Sequence, residues 1–168
     1  MDKDMTFKTA ARKSFEGLAS YNSGYEVGVN DTLKCLNILY NDVYEELDPG
    51  WKKAFGKNLI FDLLESLHND DCIDSFTVSQ VKEKFGELRL YFNNYGEDTT
   101  NIIKKYTELS KYICGMCGKP AKYITSGWIY PLCEDCIQKI NDTNYKAIEE
   151  AYDIPDVTVA IDNIKNNY

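Results

Sequence analysis

Histidine is almost missing from this chain: His68 is the only one in 168 residues. That scarcity removes whole classes of chemistry. One imidazole cannot build a two-histidine zinc site, a histidine-metal nuclease finger or a two-histidine acid–base pair. A Ser–His–Asp arrangement through His68 would have no G-x-S-x-G elbow beside it. His68 falls near the end of a predicted helix, where a surface role accounts for it. Glycine loops for phosphate are missing too, with no G-x-x-x-x-G-K-[ST] and no G-x-G-x-x-G. No apolar run reaches the ~18 residues that cross a bilayer. Met1-Asp2-Lys3-Asp4 brings no apolar h-region. The expected setting is therefore a reducing cytoplasm with no membrane partner. Carboxylates such as Asp42, Glu45, Glu46 and Asp48 are plentiful, but they fall in charge runs that read first as a solvated helix face. Carboxylate catalysis gains no support, and the reading leans away from an enzyme.

What is present is apolar and aromatic mass. Hydrophobic residues make up 43% of the chain, with 13 tyrosines and 7 phenylalanines, enough to bury a sizeable core. The net charge is −8, which repels nucleic-acid phosphates overall. The distribution is uneven. Residues 82–122 hold eight Lys or Arg against five Asp or Glu, a basic stretch within an acidic chain.

Periodicity predicts a mainly helical body. Phe7, Ala10, Ala11, Phe15 and Leu18 form a short amphipathic stretch, and residues 20–30 read as a loop. Asn30 or Asp31 is expected to cap a helix whose buried face is Leu33, Leu36, Leu39, Tyr40, Val43 and Leu47. Asp48-Pro49-Gly50 ends it. A second helix over roughly 51–67 buries Trp51, Phe55, Leu59, Leu63, Leu64 and Leu67. Residues 76–93 favour a β-hairpin with a type II′ turn at Gly86-Glu87. That register sets Phe85 opposite Leu88, Val81 opposite Phe92 and Lys84 opposite Arg89, although QVKEKF is also good helix sequence. A further helix covers 99–112 and leads into the cysteines. Beyond them, Ile137, Ile140, Tyr145 and Ile148 suggest a helix stopped by Pro155, and Val157, Val159 and Ile161 alternate like a short strand. The expected class is α+β, in three parts: a helical body over 1–113, a four-cysteine zinc module over 114–140, and a C-terminal helix and tail over 141–168 packing on the body.

The strongest pattern is Cys114-Gly-Met-Cys117, fifteen residues, then Cys133-Glu-Asp-Cys136. A CxxC turn sets two thiolates on one metal, and tetrahedral Zn²⁺ needs four ligands about 2.3 Å away. The intervening chain holds two apolar runs around Ser126-Gly127, as in a zinc ribbon or treble clef. The second pair would open a helix whose N-terminus favours thiolate charge. Four cysteines close the coordination sphere, so the site is expected to be structural. The competing readings are redox dithiols, which lack an accompanying βαβ unit, and iron, which four-cysteine sites also hold. Cys35 reads as a small core residue, and Cys72 lies in an acidic loop.

The order of QVKEKFGELRLYF (80–92), CGMCG (114–118) and GWIYPLCEDC (127–136) resembles uncharacterised bacteriophage and prophage zinc-knuckle proteins. These carry an IKEKFG-x-LRFY segment, a helix, a CxxCG knuckle and then GW with LC-x-x-C or a histidine variant. Asp48-Pro49-Gly50-Trp51, with Leu59-Ile60 and Leu63-Leu64, resembles their GW…LI helix start. The resemblance spans roughly 48–137 and implies a phage context and zinc.

Two functions follow as expectations. The first is an anti-defence or host-takeover protein that binds and inhibits a host protein or sequesters a small ligand. Its surface would be the hairpin, with Phe85 and Leu88 buried and Lys84 and Arg89 exposed. The second is a nucleic-acid-binding accessory in phage transcription, replication or packaging. Lys82, Lys84, Arg89, Lys104 and Lys105, with Tyr91, would contact phosphates and bases; ordinary solvated lysines are the competing reading. Exposed tyrosines could also support a homodimer.

Overall fold

A computed structural model describes residues 27–141 and 143–168. The stretch expected at residues 7–18 lies outside them. Helix α1 (Val27–Leu39) begins ahead of the predicted cap, so Asn30 and Asp31 lie inside it. Poor helix formers cost less than about 1 kcal/mol each. Burial of Cys35, Leu36 and Leu39 on the same helix outweighs that. A π-helical turn, Tyr40–Tyr44, extends α1, closed by Glu45 N donating to Tyr40 O at 3.1 Å.

The second helical stretch runs through α2 (Pro49–Trp51), a π-helical turn (Lys52–Gly56) and α3 (Lys57–Asn69). Pro49 suits the first turn, where no N–H is required. The predicted face at Trp51, Phe55, Leu59, Leu63, Leu64 and Leu67 is buried throughout. Each fully buried leucine contributes roughly 1.5–3 kcal/mol, so this face is the centre of the core.

Strands β1 (Thr77–Lys84) and β2 (Glu87–Asn93) form the expected antiparallel hairpin, but its register is corrected by two residues. The turn is Phe85-Gly86, with φ of 56° and 79°. Two positive φ angles define a type I′ turn, for which glycine suits the second position. Lys84 therefore meets Glu87 rather than Arg89, an opposite-charge pair in place of a like-charge one. The carboxylate of Glu83 accepts from Gly86 N at 2.6 Å and holds the turn. Val81 meets Leu90 rather than Phe92, and a bulge between Val78 and Gln80 brings Val78 opposite Phe92. The shift is even-numbered, so residues 80–84 and 87–93 keep their faces, while the bulge moves Thr77 and Val78 to the opposite one. Phe85 alone leaves the strand for the turn, and it is 64% exposed where burial was expected.

Leu88, Leu90 and Phe92 turn inward against α4 (Glu97–Ser110). Two α4 hydroxyls complete the backbone of Leu88: Ser110 Oγ accepts from its N–H at 2.8 Å, and Thr107 Oγ1 donates to its carbonyl at 3.0 Å. The N-terminus of α4 is capped from a distance. Gly96 N, Asp98 N and Thr99 N donate to the Asp70 carboxylate at 3.0, 3.1 and 2.9 Å. Asp70 lies just past the predicted end of the second helix, where the sequence gives no local sign of a partner 26 residues away.

The remainder builds a small sheet in the order β4-β3-β5, from β3 (Tyr123–Thr125), β4 (Pro131–Leu132) and β5 (Tyr145–Ala147), with α5 (Glu134–Ile137) after β4. Helices α6 (Ile148–Tyr152) and α7 (Val157–Asn166) follow. Two expectations are corrected here. Tyr145 lies in a strand, not a helix, and Ile140 is exposed. Residues 157–161 are helix, not strand. Asp156 caps α7, accepting from Thr158 N and Val159 N at 2.6 and 3.2 Å. Val157, Ala160, Ile161 and Ile164 then face the core at helical spacing, and Val159, which a strand would have turned inward, is half exposed. The architecture is α+β and mainly helical, with a β-hairpin and a treble-clef-like four-cysteine module. Among the described residues, no helix is long and apolar enough to cross a membrane.

The Asp70 cap carries a pH signature. Burial works against its charged form, but the hydrogen bonds from the 96–99 segment outweigh it and hold the carboxyl below its ordinary range. Stability from a lowered carboxyl is complete above the unfolded pKa of about 3.9 and is lost as pH falls through the folded value. Asp70 accepts through both oxygens and Asn offers one, so Asp70→Asn should cost about 1 kcal/mol at pH 7. In urea melts the gap between the two proteins should close as the pH falls below that of the wild-type carboxyl.

Candidate metal centre

The module begins where α4 ends. Ile113 bridges to Pro120, and Cys114 N donates to Lys119 O at 2.8 Å, closing the Cys114–Cys117 loop into a knuckle. Gly118 supplies the left-handed step, at φ 81°. The β3–β4 hairpin then returns the chain, as the two apolar runs around Ser126-Gly127 predicted. Gly115 N donates to Pro131 O at 3.1 Å, which ties knuckle to hairpin. Cys133 is the residue before α5, and its carbonyl accepts from Cys136 N and Ile137 N.

This backbone gathers Cys114, Cys117, Cys133 and Cys136, whose sulfurs all lie within 4.8 Å of one another. A tetrahedron with 2.3 Å arms has edges of about 3.8 Å. The Cys117–Cys133 sulfur separation is 3.5 Å, close to that edge. Three of the four are buried and Cys117 is half-buried. Burial, then hydrogen bonds that its S–H can donate to the other three sulfurs, push the Cys136 thiol well above its ordinary value. Four converging cysteine sulfurs, three of them buried, are the donor set of a metal site. The four cysteines could hold a metal ion, and all four tetrahedral positions would be protein sulfur. Leu132 and Ile137 pack beside them in a small core of their own. Cys35 is fully buried in the main core, where burial pushes its thiol up to about 12.

The knuckle is seated on the body by the Asp48–Trp51 segment. Gly50 N donates to Gly115 O at 2.7 Å. A Cβ on Gly50 would lie 2.0 Å from the Cys114 carbonyl oxygen. Trp51 is fully buried and donates Nε1–H to Ile113 O at 3.1 Å. Tyr130 donates its hydroxyl to Asp48 Oδ2. Burial, and then that carboxylate, push the Tyr130 phenol well above its usual range. In the sequence this segment reads as a helix boundary, with Asp48 in a solvated charge run. Its roles depend on partners more than 60 residues away.

The expected contact residues divide. Lys82, Lys84, Arg89 and Tyr91 share the outward face of the hairpin, opposite Leu88 and Leu90. Lys82 Nζ lies 5.2 Å from the Tyr91 ring centre, and Lys84 Nζ 5.3 Å from that of Phe85. Arg89 is half-buried rather than exposed and pairs with Glu87 at 2.5 Å. Lys104 is exposed on α4, while Lys105 is largely covered and pairs with Asp62 at 3.2 Å. Lys111, Lys119 and Lys122 also pair with carboxylates. Much of the basic stretch is thereby neutralised. Reasoning from sequence missed Trp128, 75% exposed at the tip of the β3–β4 hairpin. The Ser126-Gly127 turn beside it was the available signal. No protein-family model, curated protein or solved structure matches the chain.

Gly50→Ala should cost about 3 kcal/mol or more, because its Cβ meets backbone that cannot yield. Gly127→Ala, with nothing within 4 Å, should stay within about 0.5 kcal/mol. Urea denaturation of the two variants measures the contrast. Thiol titration of the native protein should find Cys72 alone reactive. After chelation the four cluster cysteines should join it, and Cys35 should react only on unfolding.

Proposed function

We propose that this protein is a phage-type intracellular binding protein stabilised by one structural Zn²⁺, which acts by occupying a host protein or sequestering a ligand in host takeover or anti-defence. The observation that carries the reading is the closed set of four cysteines. A metal whose every position is protein sulfur has no place for water or substrate, so its contribution is to folding. Zinc fits tetrahedral thiolates without redox chemistry. The rigid module then presents large apolar side chains to solvent, Trp128 and Met116 among them, and the hairpin tip presents Phe85. Exposed aromatics on a fixed scaffold are the material of protein interfaces.

A second reading, a nucleic-acid accessory, draws on the outward hairpin face. There Tyr91 is exposed beside Lys82, Lys84 and Arg89. The ion pairs described above weaken it, because a carboxylate-paired cation releases less counterion from a phosphate backbone.

Elemental analysis should find one zinc per chain and no iron. Tagged protein expressed in its host should recover one dominant partner in a complex that re-forms from purified components. If no such complex or tightly bound small molecule emerges, and oligonucleotides instead shift the protein with a steep salt dependence, the second reading replaces the first.

A further inference from the structure

Three exposed apolar side chains converge on one cleft. Met116 from the knuckle, Trp128 from the β3–β4 turn and Ile140 after α5 line a cavity of about 450 Å³, with Tyr130 also in its wall. They are 44%, 75% and 39% exposed. Among the described residues, the charged side chains lining this cavity are both carboxylates, Asp48 and Glu83. Each gives one oxygen to the scaffold: Asp48 Oδ2 accepts from the Tyr130 hydroxyl, and Glu83 Oε1 accepts from Gly86 N. Those bonds hold the carboxylates in place, and among the described residues no hydrogen bond takes the second oxygen of either. The β1–β2 turn braces the cleft, since Gly86 packs against Ile129 and Pro131.

We infer that this cleft is a docking site for an arginine or lysine side chain carried by an extended segment of a partner protein. The cleft complements such a side chain in charge and in apolar surface. Two held carboxylates, with no cation among the described residues of the cleft wall, favour a positive group. The Trp128 and Tyr130 rings give that group π-faces, and Met116 and Ile140 take its methylenes and apolar neighbours. Nucleic acid is disfavoured at the same place by the same carboxylates. The inference rests on the binding reading above and names the chemistry of the partner.

The test uses the metal-loaded full chain and two short capped peptides, one with a central arginine between leucines, the other with citrulline in its place. Trp51 is fully buried, so collisional quenching by neutral acrylamide reports on Trp128. The arginine peptide should protect Trp128, and the citrulline peptide should bind at least tenfold more weakly. Glu83→Gln and Asp48→Asn keep an oxygen for Gly86 N and Tyr130 while removing the charge. Each should weaken the arginine peptide at least tenfold with an unchanged melting curve. Equal binding of the two peptides, undiminished binding by a folded Glu83→Gln, or no protection at millimolar peptide would overturn the cleft. So would a concentration-dependent dimer that buries Trp128 and excludes the peptide. A host partner recovered equally by the wild type and by Glu83→Gln would sink the cleft while leaving the binding reading in place.

Discussion

The structure depends on the seating of the Cys114–Cys117 knuckle on the four residues Asp48–Trp51. The two backbones approach so closely that Gly50 has no room for a methyl group. Around that contact a buried indole N–H, a backbone amide and a tyrosine hydroxyl each find a partner across the boundary. A buried polar group left unpaired costs about 1–3 kcal/mol, so the contact specifies position as well as affinity. It converts a small sulfur-lined module, with a minor core of its own, into an extension of the helical body.

The hairpin shows the same interdependence at its tip. A bulky residue with positive φ is unfavourable by itself, and Phe85 adopts that conformation. What compensates is local and tertiary at once. Lys84 meets Glu87, Glu83 closes the turn, and Gly86 rests on Ile129 and Pro131 of the module. The bulge at the far end returns Val78 to the buried face opposite Phe92. The ribbon therefore touches α4 along its length and the four-cysteine module at its turn, and Glu83 reaches the cleft that Trp128 flanks. Core, hairpin and module share one surface, so the strand carboxylate Glu83 and the knuckle residue Met116 line the same cleft.

Local chemistry was legible in the sequence. The CxxC spacings, the Ser126-Gly127 turn and the helical faces at Leu36–Leu47 and Trp51–Leu67 are short-range patterns, and covalent geometry leaves them few ways to fold. The alternation at Val157, Val159 and Ile161 misled because three residues satisfy a period of two and conceal a period of 3.6. Asp156, a capping residue just past a proline, was the competing signal, and it won. The hairpin was visible but its register was not, since Phe85-Gly86 and Gly86-Glu87 are both two-residue turns containing glycine.

By itself the sequence determined the two CxxC pairs, the helical body and the existence of the hairpin, because each is written in neighbours within about one or two turns of chain. Only the tertiary structure decided that Asp70 caps a helix 26 residues on, that Asp48 meets Tyr130, and which basic side chains are neutralised. It also decided that Trp128 flanks two held carboxylates. Those are relations between charges and hydrogen-bonding groups brought together by packing. Packing energies sum over the whole core, so no local pattern carries them.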